Sequence, residues 1–278
     1  DCKPLDRKAW PTTPAPVVTK CRVISTLGNH EFDKGVAELE RLLYGGRHPD
    51  DPPRGPVWKG MKIPYIVSNV VRREGRTPFL PASAIVDVEG VKVGVIGAVT
   101  LETASLVSPL RIADVQFLPE ARPINTEVEK LKAAGAGPIV LVIHEGFQTP
   151  TSPQPVPLQL DEVSGRLKDV IPELDARIDV IVSGHSHKLT NALIATKGKA
   201  PLLVTQARQY GVGFSTIDLT VDRATGQVVA KGARILTPWA DAGPGLKPDK
   251  KIEKLVAAAT KVSASAEARL VGTTTVKL

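Results

Sequence analysis

Residues 141–150 read LVIHEGFQTP, and residues 140–143 before the histidine are all aliphatic. A four-residue apolar run flanked by turn residues is a strand buried on both faces, as in a sheet covered by helices. This one stops on His144, Glu145 and Gly146, so it delivers an imidazole to the end of a sheet. The same design recurs in VISTLGNHEFD (23–33) and in IDVIVSGHSH (178–187). Three apolar strands therefore end in histidine. In open α/β sheets, function gathers at the carboxyl ends of the strands.

The elements between these strands agree with that class. Residues 22–27 read as a strand. Residues 33–44 follow with helical spacing, Val36, Leu39, Leu42 and Leu43 on one face, ended by Gly45-Gly46. Residues 63–71 read as a strand, and 83–100 as two strands turning at Glu89-Gly90. A helix is expected over 124–134, a strand over 139–143 and a Pro-rich loop over 149–157. A helix over 160–174, a strand over 178–183 and strands near 191–195 and 201–205 come next. Alternation makes 214–236 a hairpin. Residues 237–248 read as a linker, and Asp249 as the cap of a helix whose apolar face is Ile252, Leu255, Val256, Ala259 and Val262. Residues 1–21 are Pro-rich and patternless. Strand–helix alternation with a β-rich later part predicts a layered α/β domain.

Composition excludes several classes. No apolar run approaches the about 18 residues a membrane helix needs, and DCKPLDRKAW at the start lacks the apolar centre of a signal peptide. The formal charge is +7. Its basic residues are interspersed with acids and aromatics are scarce, which argues for a solvated basic surface rather than a nucleic-acid platform. A monomer is expected. Cys2 and Cys21 fit no metal motif; a disulfide and free thiols both stay open.

Of five histidines, four fall at the ends of expected strands, and His48 lies in the loop GGRHPDD. His185 and His187 are two apart. They share a face if extended and diverge in a turn, where they can serve neighbouring cations. Asn29 offers an amide oxygen. Asp33, three residues beyond His30, is placed to hold one imidazole nitrogen and leave the other to donate a proton. Each element has a plainer reading: a surface histidine pair, a turn histidine, a helix cap. Four imidazoles on one edge favour a metal-assisted hydrolase. No G-x-S-x-G elbow and no P-loop is present.

GNHEFD, IHEG and GHSH, in this order, resemble the metallophosphoesterase (calcineurin-like) domain of bacterial 5′-nucleotidases, 2′,3′-cyclic nucleotide phosphodiesterases and UDP-sugar hydrolases. IPYIVSNVV, VKVGVIGAVT and VTQARQYGVGFSTIDLTVD extend the resemblance over about residues 22–248, and 249–278 resemble a connector helix and the start of a further domain. The resemblance implies a four-layer α/β/β/α sandwich. It implies that Asn29, His144 and His185 bind one divalent metal ion (zinc, manganese, magnesium or similar), that His187 reaches a second, and that His30 paired with Asp33 assists the leaving group. It implies a nucleotide or other phosphorylated small molecule as substrate and a periplasmic or secreted location. The family's Asp-x-His and Gly-Asp motifs, the second of which supplies the bridging aspartate, do not occur here. Without that carboxylate two dications about 4 Å apart repel by roughly 16 kcal/mol at an effective dielectric of about 20, so one ion is expected. The chain is accordingly expected to be a segment lacking the family's first βαβ unit. The alternative is a relic domain that binds metal or phosphate without turnover.

Overall fold

The computed structural model describes residues 16–21, 23–49, 57–196, 200–238, 247–270 and 272–273. The chain divides into two compact units, Asp1–Leu236 and Thr237–Leu278.

The first unit begins with β1 (Val17–Thr19), β2 (Ser25–Thr26), a 3-10 turn Asn29–Phe32 and α1 (Val36–Tyr44). Next come β3 (Tyr65–Ile66), β4 (Val70–Arg72), β5 (Ser83–Val88), β6 (Val91–Val99), α2 (Thr103–Leu106), β7 (Val115–Phe117) and α3 (Ala121–Ala133). The later part holds β8 (Ile139–His144), β9 (Val156–Leu158), α4 (Leu167–Val170), β10 (Val180–Ser183), β11 (Leu189–Ile194), β12 (Leu202–Ala207), β13 (Phe214–Val221) and β14 (Val228–Leu236).

Eight strands form one sheet in the order β1-β5-β6-β8-β10-β12-β11-β9. Within it β6, β8, β10 and β12 are mutually parallel neighbours, so their carboxyl ends share one edge. The apolar strands are two-sided, as their sequence demands. On β8 and β10, Ile139, Leu141, Ile143 and Ile181 pack with Ile124, Val128 and Leu131 of α3 and Leu167 and Val170 of α4. From the alternate positions, Val140, Val180 and Val182 pack with Ile217 and Leu219 of β13 and Ala233 of β14. The β13–β14 hairpin is thus a second β-layer against the main sheet, opposite the helices. A separate cluster around Leu27, Phe32, Val36, Leu39 and Phe117 anchors the 3-10 turn and α1. There Phe32 meets Phe117 edge-on, ring centres 5.1 Å apart.

Several elements differ from the sequence expectation. The strand over 22–27 shrinks to Ser25–Thr26, paired in parallel with β3. The strand over 63–71 breaks into β3 and β4 at a fully buried Asn69. The Asn69 amide donates to Val99 O and Leu118 O and its carbonyl accepts from Val99 N, taking over the role of a ladder. The helix over 160–174 is two 3-10 turns and one short α-turn, α4. It is interrupted at Gly165, whose φ of +103° and close approach to Phe147 suit only glycine. The expected irregular start contains β1, which pairs with the open edge of β5; residues 1–15 lie outside the described part. The Pro-rich loop over 149–157 runs into β9, which pairs with β11 at the opposite edge. The Glu89-Gly90 turn is as expected: both residues have positive φ, 52° and 86°, as a type I′ hairpin requires.

The second unit is α5 (Lys250–Glu267), capped by Asp249, whose Oδ1 accepts from Lys251 N and Ile252 N. Ile252, Leu255, Val256 and Val262 on it are exposed. Most of the linker expected over 237–248, residues 239–246, lies outside the described residues, as do residues 274–278 of the final segment.

Candidate functional site

Pairing register brings the histidines together. β8 and β10 are parallel neighbours with Ile143 opposite Ser183. One residue further on, His144 ends β8, while β10 has given way to the turn Gly184–His187. That turn is tight: Ser186 N donates to Gly184 O at 2.7 Å, and His185 and His187 both adopt left-handed backbone, φ 68° and 59°. Such φ values in residues bearing a Cβ are stored strain, common where a side chain must be aimed. Buried Gln206 at the end of β12 holds the turn, its Nε2 donating to Ser186 Oγ and to Lys188 O.

Asn29 reaches the same place from the loop after β2. It is 6% exposed. Its Oδ1 lies 2.9 Å from His144 Nε2, and His144 Nε2 lies 3.2 Å from His185 Nδ1. Gly28 makes room for this: a Cβ there would sit 2.9 Å from His144 Cε1 and Nδ1. Gly28 N in turn donates to Glu31 Oε2.

Asn29 Oδ1 and His185 Nδ1 thus both stand within hydrogen-bonding distance of His144 Nε2. Adjacent ligands around an octahedral cation with bonds of about 2.1 Å stand about 3.0 Å apart, and around a tetrahedral one about 3.4 Å. Separations of 2.9 and 3.2 Å match such edges, and two imidazoles with an amide oxygen are a chemically apt donor set for a transition dication. Burial, then the nearby charges of His185, His30 and His187, push His144 down to about 4. Its imidazole is neutral at physiological pH, the form that ligates metal. Among the described residues, no group of three His, Cys, Asp or Glu side chains has metal-holding geometry; the amide and two imidazoles here bring no carboxylate or thiolate.

His30 lies on the 3-10 turn beside Asn29. Its Nδ1 is 2.8 Å from Asp33 Oδ2, and both side chains are exposed. His187 is also exposed; its imidazole lies against the Tyr210 ring, centroids 5.6 Å apart. Thus Asn29, His144 and His185 converge, His30 and Asp33 pair beside them, and His187 stands at the rim.

Sequence reasoning missed the support beneath the centre. Arg166 grips Glu120 with both terminal nitrogens, 2.7 and 3.0 Å, and reaches Glu145 Oε2 at 3.3 Å. Glu120 also accepts from Leu101 N, and Glu145 from Gly146 N. Both carboxylates are 2% exposed. The half-buried Arg166 thus ties together two buried carboxylates, one of them on the residue that follows His144. The three residues lie far apart in sequence, and only Glu145 lay in a motif that drew notice.

No protein-family model matches the chain. It is similar to endonuclease YhcR of Bacillus subtilis, 33% identical over 213 residues, covering 77% of this chain and 16% of that protein. It is also similar to cell wall protein Lmo0130 of Listeria monocytogenes, 34% identical over 239 residues, 78% of this chain and 29% of that one. The crystal structure of the calcineurin-like phosphoesterase YfkN from Bacillus subtilis superposes with a TM-score of 0.62 at 21% identity, covering 88% of this chain and 72% of that one. The fold is therefore that of a calcineurin-like phosphoesterase domain. Further matches include several 5′-nucleotidases, and the chain resembles that group in sequence and fold. It spans under a third of the length of the two relatives above.

Proposed function

We propose that this domain hydrolyses phosphoesters of nucleotides at the Asn29–His144–His185 centre, using one divalent cation. The convergence of those three donor atoms carries the reading. A divalent cation bound there supplies the positive charge that neutralises a phosphoryl group and lowers the pKa of a water. The chain's own residues do the rest. The donor set is uncharged, so the anionic phosphoryl group of the substrate is the natural partner of the bound charge. Asp33 holds His30 by Nδ1, which orients the ring and leaves Nε2 to hand a proton to the departing oxygen. The Arg166–Glu145 contact keeps the His144 turn in place. His187, at the rim, is the residue available to a second ion.

An extracellular location fits this reading. The Listeria relative is a cell wall protein, Cys21 is disulfide-bonded, and disulfides persist in oxidising compartments. No helix among the described residues is long and apolar enough to cross a membrane.

The test pairs metal uptake with turnover. Metal-stripped protein is titrated with zinc and manganese by calorimetry, and phosphate release is followed from nucleoside monophosphates. Wild type should bind one equivalent and turn over. Asn29→Ala and His144→Ala should lose uptake, while His30→Ala should keep uptake and lose turnover. Uptake without any turnover by wild type would favour a metal-binding relic. Undiminished uptake by His144→Ala would end the proposal.

A further inference from the structure

The amino-terminal ends of the parallel strands carry a cleft of their own. It forms where the loop between α3 and β8, residues 134–138, meets the turn between β13 and β14, residues 222–227. The two segments touch through a pair of glycines. A Cβ on Gly137 would lie 2.4 Å from Gly226 O, so no larger residue fits. The turn is well tied: Asp222 Oδ1 accepts from Ala224 N and Thr225 N, and Asp222 O accepts from Gly226 N. The loop is fastened to β6 by Gly137 N, which donates to Lys92 O at 2.9 Å. Against this contact lies an open cleft of about 590 Å³. Its walls are set by backbone bonds before any ligand arrives, which lowers the ordering cost of binding.

Three cations line the cleft, Lys92, Lys132 and Arg223, and no carboxylate does. Each is steadied by one backbone carbonyl: Lys92 Nζ donates to Ala134 O at 3.2 Å, Lys132 Nζ to Gly137 O, and Arg223 Nη1 to Glu89 O at 3.3 Å. Their remaining N–H groups have no partner among the described residues, and none of the three cations forms an ion pair there. The acids close by in the chain serve turns: Asp87 accepts from Gly90 N, and Asp222 holds its own turn. Burial pulls the Lys132 pKa below its ordinary value, and the nearby Asp179 only partly offsets this. Clustered cations without a counter-charge are unfavourable unless an anion completes them. The rest of the lining is glycine, alanine, threonine and two valines, with no aromatic ring. The cleft therefore offers charge and gives a flat or bulky apolar group nothing to rest on.

This place is distinct from the histidine centre. Lys92 and Val99 are seven residues apart on β6, about 23 Å of extended chain, and it is Val99 that pairs with His144.

We propose that the Lys92–Lys132–Arg223 cleft is a second binding site, for an oligophosphate anion. Its volume falls within the range of small-molecule sites, about 300–1,000 Å³. A chain of phosphoryl groups lets each cation meet its own oxygens through charge-assisted bonds, the guanidinium with two of them at once. A single phosphoryl group leaves part of the charge unmatched. The site stands whether or not the histidine centre turns over.

The experiment titrates the full chain, metal-stripped so that the histidine centre holds no cation, with orthophosphate, pyrophosphate and triphosphate. Amide NMR shifts report where each one binds. The amides of Gly90, Gly135, Gly137 and Gly226 should move and saturate, with affinity rising from orthophosphate to triphosphate. Lys92 and Arg223 are exposed, so Lys92→Gln and Arg223→Gln should fold as wild type does. Each should weaken triphosphate binding about 10-fold, the loss of one charge-assisted contact. Lys251→Gln on α5 removes the same net charge elsewhere and should leave the affinity unchanged. An equal loss in Lys251→Gln would mean that only the overall positive charge attracts the anion, and would overturn the proposal. So would unchanged affinity in Lys92→Gln and Arg223→Gln, equal affinity for orthophosphate and triphosphate, or shifts confined to other parts of the chain. Should one variant fail to fold, the other decides.

Discussion

Replacing Arg166 by methionine probes the layer that holds the centre in place. Methionine keeps much of the aliphatic length and removes the guanidinium. Glu120 and Glu145, each 2% exposed, would then face each other without a counter-charge. The wild-type contacts at 2.7, 3.0 and 3.3 Å are charge-assisted. Removing one member of a buried ion pair typically costs about 3–5 kcal/mol, because the stranded charge keeps its desolvation penalty. The Arg166 side chain is 25% exposed, so water can enter the gap and the lower end, about 3 kcal/mol, is expected. For a unit of this size that lowers Tm by about 6 °C. Urea unfolding of metal-stripped wild type, Arg166→Met and Arg166→Met/Glu120→Gln measures it. The second substitution removes one stranded charge and should recover about half of the loss. A loss below about 1 kcal/mol, or no recovery in the double variant, would show that the triad does not bear on stability as argued. Because Glu145 follows His144 directly, zinc affinity should fall in Arg166→Met as well.

Gly28→Ala should weaken zinc binding about 10-fold while changing stability little. Its backbone is extended, φ −107°, and the atoms nearest the added methyl belong to the His144 ring and the Glu31 carboxylate; chelator competition measures it, and unchanged affinity would refute it. Gly97→Ala should cost about 1–3 kcal/mol or more in urea unfolding, since its Cβ would lie 2.2 Å from the Ile66 carbonyl oxygen. In chelator-treated protein, stability should rise with pH from about 4 to 6.5 and level off above. His144 is depressed to about 4 when folded and titrates near 6.5 when unfolded, so the unfolded chain binds more protons in that window. The full span would be about 3 kcal/mol, reduced toward 1–2 by the solvent that reaches the ring. Urea midpoints across the window should slope for wild type, and less for His144→Gln.

The elements legible in the sequence were those governed by local chemistry. Glu89-Gly90 had to turn because a two-residue hairpin needs two positive φ values. Residues 139–143 had to be a strand because Val and Ile fill both faces of a covered sheet. Asp249 had to cap α5 because its carboxylate can reach two free amides of the first turn. The failures have equally specific causes. The apolar pattern over 63–71 continues through Asn69, but that side chain bonds to Val99 and Leu118, residues it meets only in the folded chain. Helical spacing over 160–174 is overruled by Gly165, whose close approach to Phe147 is a tertiary fact.

At the centre, the sequence alone offered the candidate side chains and placed His144 at a strand end, since an imidazole near a glycine after an aliphatic run is a local arrangement. It also determined that Asp33 could hold His30, three residues away. Only the tertiary structure decided that β8, ending in His144, and β10, leading into the His185 turn, are parallel neighbours, that Asn29 arrives 115 residues earlier in the chain to meet His144, and that Arg166 ties Glu120 to Glu145. The order of strands in the sheet settles those meetings. That order is fixed by the burial of whole faces, a property no single stretch of residues contains.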